Sequence, residues 1–443
     1  MKQPVDFIII GSGIAGLYAA YQIKRISPPN TTILILEKNA KQWMGGRIGN
    51  DTFYGADIVV GAGVGRKNKD HALIQLLKET KVPYSEFVSS RNYVPPFQPV
   101  DLMAVMRQLK AEYKKHPDQH RHKTFKQFFI EVFGAKLYKD FVITTGYTDF
   151  ENADIYETLY HYGMDDNVAG WTGLSLSWKH LVDTLYTRIG KEHFKFSSEV
   201  KRIQKIEDNL QHHPASFGGF EITTADNKRY YAKKVVVATT IDAVKKIVPG
   251  ASARTSIYQQ IHGQPFLLVY AKFDRASTEI MKKYVTSFTP LTGPLQKIIP
   301  MDPSKGVYMI AYTDNAHATA LKAKGALENT RKNCEMYSKW LADALGIPQR
   351  NGDDDDDAAL TIIAIRDYYW PVGTHYYEPL SSVGGGGGVG GEFKSRVDFI
   401  NKAQHPEKGM VLVGEMTSRH QGWVEGALES VDKVITRDWV NTV

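Results

Sequence analysis

Apolar positions along this chain change period several times, and each change marks an element. Phe7 to Ile10 is a short β-branched run, interrupted by Gly11-Ser12-Gly13-Ile14-Ala15-Gly16; "LYAAYQIKRI" then follows at helical spacing, and "TTILILEKN" returns to strand character and ends at Glu37. Much later, "FKFSSEVKRIQKIED" and "GFEITTADNKRYYAKKVVVATT" alternate as strands around a turn at Ala225-Asp226-Asn227 and close in the buried run Val235 to Val237. Between these blocks, "DHALIQLLKE", "DLMAVMRQLKAEYKKH" and "TFKQFFIEVFG" predict helices. Beyond residue 255, "PFLLVYAKFD" and "GVYMIAYTD" predict strands and "ALENTRKNCEMYSKWLADALG" a helix, before the aromatic stretch "DYYWPVGTHYY". Near the C-terminus, "VLVGEMTSRHQGWVEGALES" reads as a buried strand, a Gly-Glu pair, a polar loop with one Trp, and a helix start. The runs "NGDDDDDAA" (351–359) and "VGGGGGVGG" (383–391) read as solvated loops, and five adjacent carboxylates repel one another without metal-ligand spacing.

The N-terminal block has a strand, a glycine turn, a helix, a second strand and a terminal acid at dinucleotide-fingerprint spacing. Gly11 permits the tight turn, Gly13 lets backbone N–H groups approach a pyrophosphate, and Gly16 lets helix and strand pack closely. The positive helix end favours phosphates, and Glu37 suits a ribose diol. A second glycine turn, Trp43-Met44-Gly45-Gly46-Arg47, follows at once. It resembles FAD-binding enzymes of the glutathione-reductase type, in which this turn passes the pyrophosphate and aims an Arg at it, so the expected cofactor is FAD.

Three separated blocks, "IIIGSGIAGLYAAYQI…LILEKNAKQWMGGRIG", "FSSEVKRIQKI…VVVATTIDAVKKI" and "VLVGEMTSRHQGWVEGALES", resemble the flavin-dependent amine oxidase superfamily of monoamine, polyamine and L-amino-acid oxidases. The resemblance implies an α/β fold: a Rossmann-like FAD-binding domain (1–71, 191–255 and 405–443) interleaved with an α+β substrate domain (72–190 and 256–404). It implies backbone contacts to adenine at Val200, a turn near the cofactor at Thr239, Glu415 against the ribityl chain or pyrophosphate, and a helix from Val424 aimed at the flavin pyrimidine ring. Cofactor candidates are Gly11, Gly13, Ile14, Ala15, Gly16, Glu37, Lys38, Gly45, Gly46, Arg47, Gly63, Val64, Val200, Thr239, Gly414, Glu415, Gly422, Trp423 and Val424.

By the same resemblance, Trp423 and Tyr376 or Tyr377 wall an aromatic slot for a neutral amine, and Arg66 is the counterpart of a carboxylate clamp in L-amino-acid oxidases, or else a surface cation in "RKNKD". Many members carry a strand lysine that holds a water near flavin N5. Its position here is Gln264 or Phe266, with Lys272 and Lys297 near in sequence but not evidently in register. The implied reaction passes hydride from the amine-bearing carbon to flavin N5, gives an imine that hydrolyses, and turns O2 into H2O2. Substrates are a primary amine, a polyamine or an L-amino acid. Rival readings are a flavin desaturase or porphyrinogen-type oxidase, and a non-catalytic FAD-binding protein.

Composition changes this picture little. The 443 residues exceed one ordinary core. A net charge of +7 is spread over 55 basic and 48 acidic residues without a dense tract, so a nucleic-acid partner is not expected. The single cysteine, Cys334, excludes an internal disulfide and a cysteine metal cluster and fits a reducing compartment. No cysteine lies in the aromatic stretch, so FAD is expected to bind noncovalently. No signal peptide or membrane span is read, the expected location is cytoplasmic, and a homodimer is compatible with the pattern.

Overall fold

The computed structural model describes residues 4–206, 218–348, 360–380, 393 and 395–442. The Asp353–Asp357 and Gly384–Gly391 runs lie outside the described residues.

The first sheet contains β1 (Val5–Ile10), β2 (Ile33–Leu36), β3 (Phe194–Lys195), β4 (Val200–Ile206), β5 (Gly219–Thr224) and β6 (Arg229–Val237). The second contains β7 (Ile261–Phe273), β8 (Thr289–Pro290), β9 (Lys297–Asp302), β10 (Val307–Asp314) and β11 (Ile362–Tyr377). The chain then returns to the first sheet with β12 (Met410–Leu412).

In the first sheet the order is β3-β2-β1-β6-β5-β4, and β12 pairs with the end of β6. The β1, β2, β3, β6 and β12 pairings are parallel, whereas β5 runs antiparallel to both β6 and β4. A parallel sheet is covered on both faces, so its strands are apolar throughout. Phe7, Ile9 and Val236 pack on one side with helices α1 (Ile14–Ile26), α2 (Trp178–Ile189) and, from the C-terminal block, Val424–Val434; Ile8, Ile10, Val235 and Val237 pack on the other with the helix Ile241–Ile247. That alternation follows from the two-residue period of a strand. The turn expected at Ala225-Asp226-Asn227 is present, with Asn227 at φ 61°.

The second sheet is antiparallel, in the order β8-β9-β10-β7-β11. Leu267, Val269 and Ile310 face a core built against the helix Arg331–Leu345, where Cys334 is buried. The opposite face, with Leu268, packs on Phe53, Ile58 and Val60. The helix expected from "TFKQFFIEVFG" begins at a capping box of Thr124 and Gln127, and continues past a non-helical Gly134 to Thr145. Among the described residues no helix is long and apolar enough to cross a membrane, and no group of three or more His, Cys, Asp or Glu could hold a metal ion.

Candidate functional site: two glycine turns and an aromatic cavity

The N-terminal glycines are needed where they stand. A Cβ on Gly11, at φ +103°, would lie 2.3 Å from the Ala238 carbonyl oxygen, and one on Gly16 would lie 2.1 Å from the Gly11 carbonyl oxygen. Gly13 precedes α1 without a side-chain cap, so the first N–H groups of that helix have no side-chain cap at Gly13 and point where an anion would sit. The second glycine turn packs on the first: the Gly45 N–H donates to Ser12 O at 2.9 Å, and Gly13 bridges Gly45. The two turns therefore form one cradle.

At the end of β2, Glu37 is buried and accepts hydrogen bonds from the Ser12 N–H (2.8 Å), the Ser12 hydroxyl (2.9 Å) and the Asn39 N–H (2.8 Å). The Ser198 N–H donates to the Glu37 carbonyl at 2.7 Å, which brings the segment leading into Val200 beside it. Thr239 follows β6 next to Ala238, the residue that Gly11 approaches. Lys38 and Gly63 are exposed, and Val64 is half-buried. Dinucleotide phosphates would lie over Gly13, Ile14 and Gly45, with Glu37 and Val200 at the adenosine end.

From this cradle opens a cavity that is partly open to solvent. Ile14, Arg47, Gly61 and Ala62 bound it on the cradle side, and Glu415, Gly422, Trp423 and Val424 on the C-terminal side. The remaining wall is one face of the second sheet, formed by Phe266, Leu268, Tyr312, Trp370 and Thr374. Thus the starts of α1 and of the helix Val424–Val434, from opposite ends of the chain, face one space. Trp423 precedes the second of these helices, again without a side-chain cap. Its positive end is placed to favour negative charge in the cavity.

Arg47 and Glu415 bind the two halves together. The Arg47 guanidinium donates to Glu415 Oε1 at 2.7 Å and to the Gly373 carbonyl at 2.8 Å, while the Gly422 N–H donates to Glu415 Oε2 at 3.1 Å. His375 supplies a further bond at 2.5 Å through Nδ1. Its Nε2 accepts from the Ile241 N–H at 3.2 Å, so the ring proton resides on Nδ1 and His375 donates to Glu415. Burial opposes ionisation of Glu415, but His375 and Arg47 overcome it and hold its carboxyl well below the usual carboxylate range.

Several expectations for the substrate side need correction. Tyr377 is buried away from the cavity, with its hydroxyl donating to the Met416 and Ser418 carbonyls at 2.9 Å each. Tyr376 stacks on His262, with ring centres 5.2 Å apart. The residue across from Trp423's loop is Thr374, whose methyl is the nearest atom to a Cβ built on Gly422. The aromatic walls are Trp423, Trp370, Phe266 and Tyr312. Of the two candidates for the strand-lysine position, Phe266 lines the cavity; Gln264 lies behind Thr374 and donates to its hydroxyl (2.9 Å) and to the Asp149 carbonyl (2.8 Å). Lys272 caps the Lys305 carbonyl at 2.6 Å near the surface.

Arg66 is not a surface cation. It is 3% exposed, with Nε and Nη2 donating to Asp70 Oδ1 (2.8 and 2.6 Å) and Nη1 to Asp166 Oδ2 (2.8 Å). Its guanidinium lies 3.7 Å from the centre of the Trp423 ring. Two carboxylates and an aromatic face thus occupy it. Asp70 is consequently unavailable to cap the helix His71–Thr80 that it precedes; Glu425 does so from the C-terminal block, accepting from the Ala72 (2.8 Å) and Leu73 (3.0 Å) N–H groups. Replacing Arg66 with Met leaves Asp70 buried without its cation and Asp166 with Lys69 alone, and is expected to lower unfolding stability by about 3–5 kcal/mol in denaturant titrations.

His375, Thr374, Trp370 and Tyr312 are not singled out as site residues by the sequence, and Phe266 is singled out there only as a candidate for the strand-lysine position. The alternation of β7, β10 and β11 could have supplied them, once the register shift between Gln264 and Phe266 is known.

The model of the family of flavin-containing amine oxidoreductases matches residues 14–431. No curated protein matches the chain. Among solved structures, a putrescine oxidase double mutant made to redesign cofactor binding superposes with a TM-score of 0.73 over 99% of this chain and 100% of that one, at 14% identity. A putrescine oxidase with putrescine bound gives 0.71 over 98% of each chain at 13% identity. The cyclohexylamine oxidase of Brevibacterium oxydans gives 0.71 over 98% of each at 16% identity. Likeness at such identities concerns the fold, whereas the family match spans nearly the whole chain. The protein therefore belongs to the flavin-containing amine oxidoreductases, and its cofactor is FAD.

Proposed function

We propose that the protein oxidises primary amines that carry no carboxylate beside the amino group. Amine, O2 and water would give a carbonyl compound, ammonia and hydrogen peroxide. Putrescine and cyclohexylamine, for which neighbouring structures are named, exemplify the class. The bound FAD supplies the acceptor for the hydride that leaves the amine-bearing carbon.

The observation that carries this reading is the cavity wall. Trp423, Trp370, Phe266 and Tyr312 enclose it, and the charged residues among its lining, Arg47 and Glu415, are paired with each other. Such walls favour an uncharged amine and hold it by apolar contact. Arg66, already on two carboxylates, supports the choice of amine over amino acid. No free side-chain base lines the cavity among the described residues, so the residues act by orientation and water exclusion.

The first-sheet segments serve as the cofactor unit in this proposal, and the second sheet with its helices as the substrate unit. Binding is noncovalent, since the one cysteine is buried in the helix Arg331–Leu345. The test is peroxide release from the FAD-loaded protein over matched pairs of amines and α-amino acids. Turnover of the amines with none of the amino acids is expected. Turnover of an α-amino acid that vanishes in Arg66→Lys would overturn the reading.

A further inference from the structure

Behind Tyr312 lies a group of ionisable side chains to which the amine reading assigns no role. Lys297, at the start of β9, is fully buried. Its Nζ donates to the Gly146 carbonyl at 2.6 Å and stands against two rings, 3.4 Å from the centre of Tyr147 and 4.2 Å from that of Tyr312. One carbonyl and two ring faces give its three donors partners, but none of these carries a formal negative charge.

Two carboxyl groups, Asp314 and Asp149, are near enough to act on Lys297 electrostatically. Asp314, fully buried, accepts from the Thr148 N–H (3.0 Å), the Thr148 hydroxyl and Gln296 Nε2 (2.9 Å). Asp149 accepts from the Tyr162 hydroxyl at 2.6 Å, and its own carbonyl holds Gln264 against the cavity residue Thr374. The remaining cation is Arg91, on the Thr144 and Thr145 carbonyls at 3.3 and 3.0 Å. Tyr312 separates this group from the cavity by the thickness of one ring.

We propose that the Lys297–Asp149–Asp314 group, seated behind the Tyr312 ring, is the charge that sets the specificity of the amine cavity and tunes how strongly the Tyr312 wall attracts cationic ligands. The inference rests on the amine reading of the cavity. Burial pushes Lys297 down to about 7, against the pull of Asp314 and Asp149. Burial, followed by the neighbouring Asp314, pushes Asp149 up to about 7, against Tyr162 and Lys297. Each proton lost lowers the net charge behind Tyr312 by one. In a poorly hydrated site such a change acts through a ring at little screening. A ligand with an ammonium group is therefore favoured as pH rises, and a neutral ligand is indifferent to it.

The test is calorimetric titration of the FAD-loaded protein with benzyltrimethylammonium, a cation that cannot lose a proton, and with neutral benzyl alcohol. For the wild type, the dissociation constant of the cation is expected to fall about tenfold between about pH 6 and about pH 8, with that of the alcohol unchanged. Lys297→Met and Asp149→Asn should each remove about half of the logarithmic change, and the double variant should abolish it. If Lys297→Met does not fold, Asp149→Asn alone decides. A pH dependence in the foldable variants equal to that of the wild type overturns the inference. A cavity that oxidises amines but binds the cation with no pH dependence overturns it while leaving the amine reading intact. Failure to bind or oxidise any amine overturns that reading itself.

Discussion

Gly11→Ala is expected to yield a protein without flavin. The methyl group would lie 2.3 Å from the Ala238 carbonyl oxygen, a backbone atom at the end of β6 that cannot rotate away. The Ala238 N–H also donates to the Ile10 carbonyl, so relief requires β1 and β6 to part where their parallel ladder is best formed. The positive φ adds strain of about 1–2 kcal/mol that only glycine avoids. Displacement of this turn moves the start of α1 and, through the Ser12–Gly45 bond, the second glycine turn. Flavin absorbance per mole of purified protein, read with circular dichroism, checks the outcome. A folded variant with full flavin content would show that the turn is not the phosphate cradle.

Trp423→Ala is expected to retain flavin yet lose about a hundredfold in kcat/KM for amines. Trp423 contributes its backbone to the helix start and its ring to the cavity, and only the ring is removed. The indole is held by the Arg66 guanidinium on one side, and Arg66 is itself fixed by Asp70 and Asp166. The ring is thus a rigid wall, and its loss frees the ligand to tumble. Trp423→Phe should recover most of the lost rate. An alanine variant with unchanged kcat/KM would remove Trp423 from the substrate wall.

The first sheet and its glycine turns are readable because their constraints are local. Gly11, Gly13 and Gly16 lie within a few residues of one another, and the strand runs at Phe7–Ile10, Val235–Val237 and Val411–Val413 are apolar because both sheet faces are covered. The cavity wall is harder because it depends on register. The family resemblance points to Tyr376 or Tyr377, but the shift between Gln264 and Phe266 sets Trp370 and Thr374 on the cavity face instead. Arg66 shows a different difficulty. Its partner Asp166 is distant in sequence, and nothing in "RKNKD" distinguishes a buried ion pair from a solvated cation. Lys297 looked out of register because it comes from a strand beside β10 rather than from β7, and reaches the wall through Tyr312.

The pairing of β12 with β6 has a consequence for biosynthesis. During translation, Val235–Val237 emerge long before Met410–Leu412 can cover their open edge. Until then the nascent chain displays unpaired, wholly apolar backbone, the kind of edge that attracts other strands and chaperones. The same late segment delivers Glu415 to Arg47 and Glu425 to the helix at His71. The Arg47–Glu415 pair and the cap on the helix at His71 therefore form only after the C-terminal block has been made, so the N-terminal half cannot complete these contacts on its own.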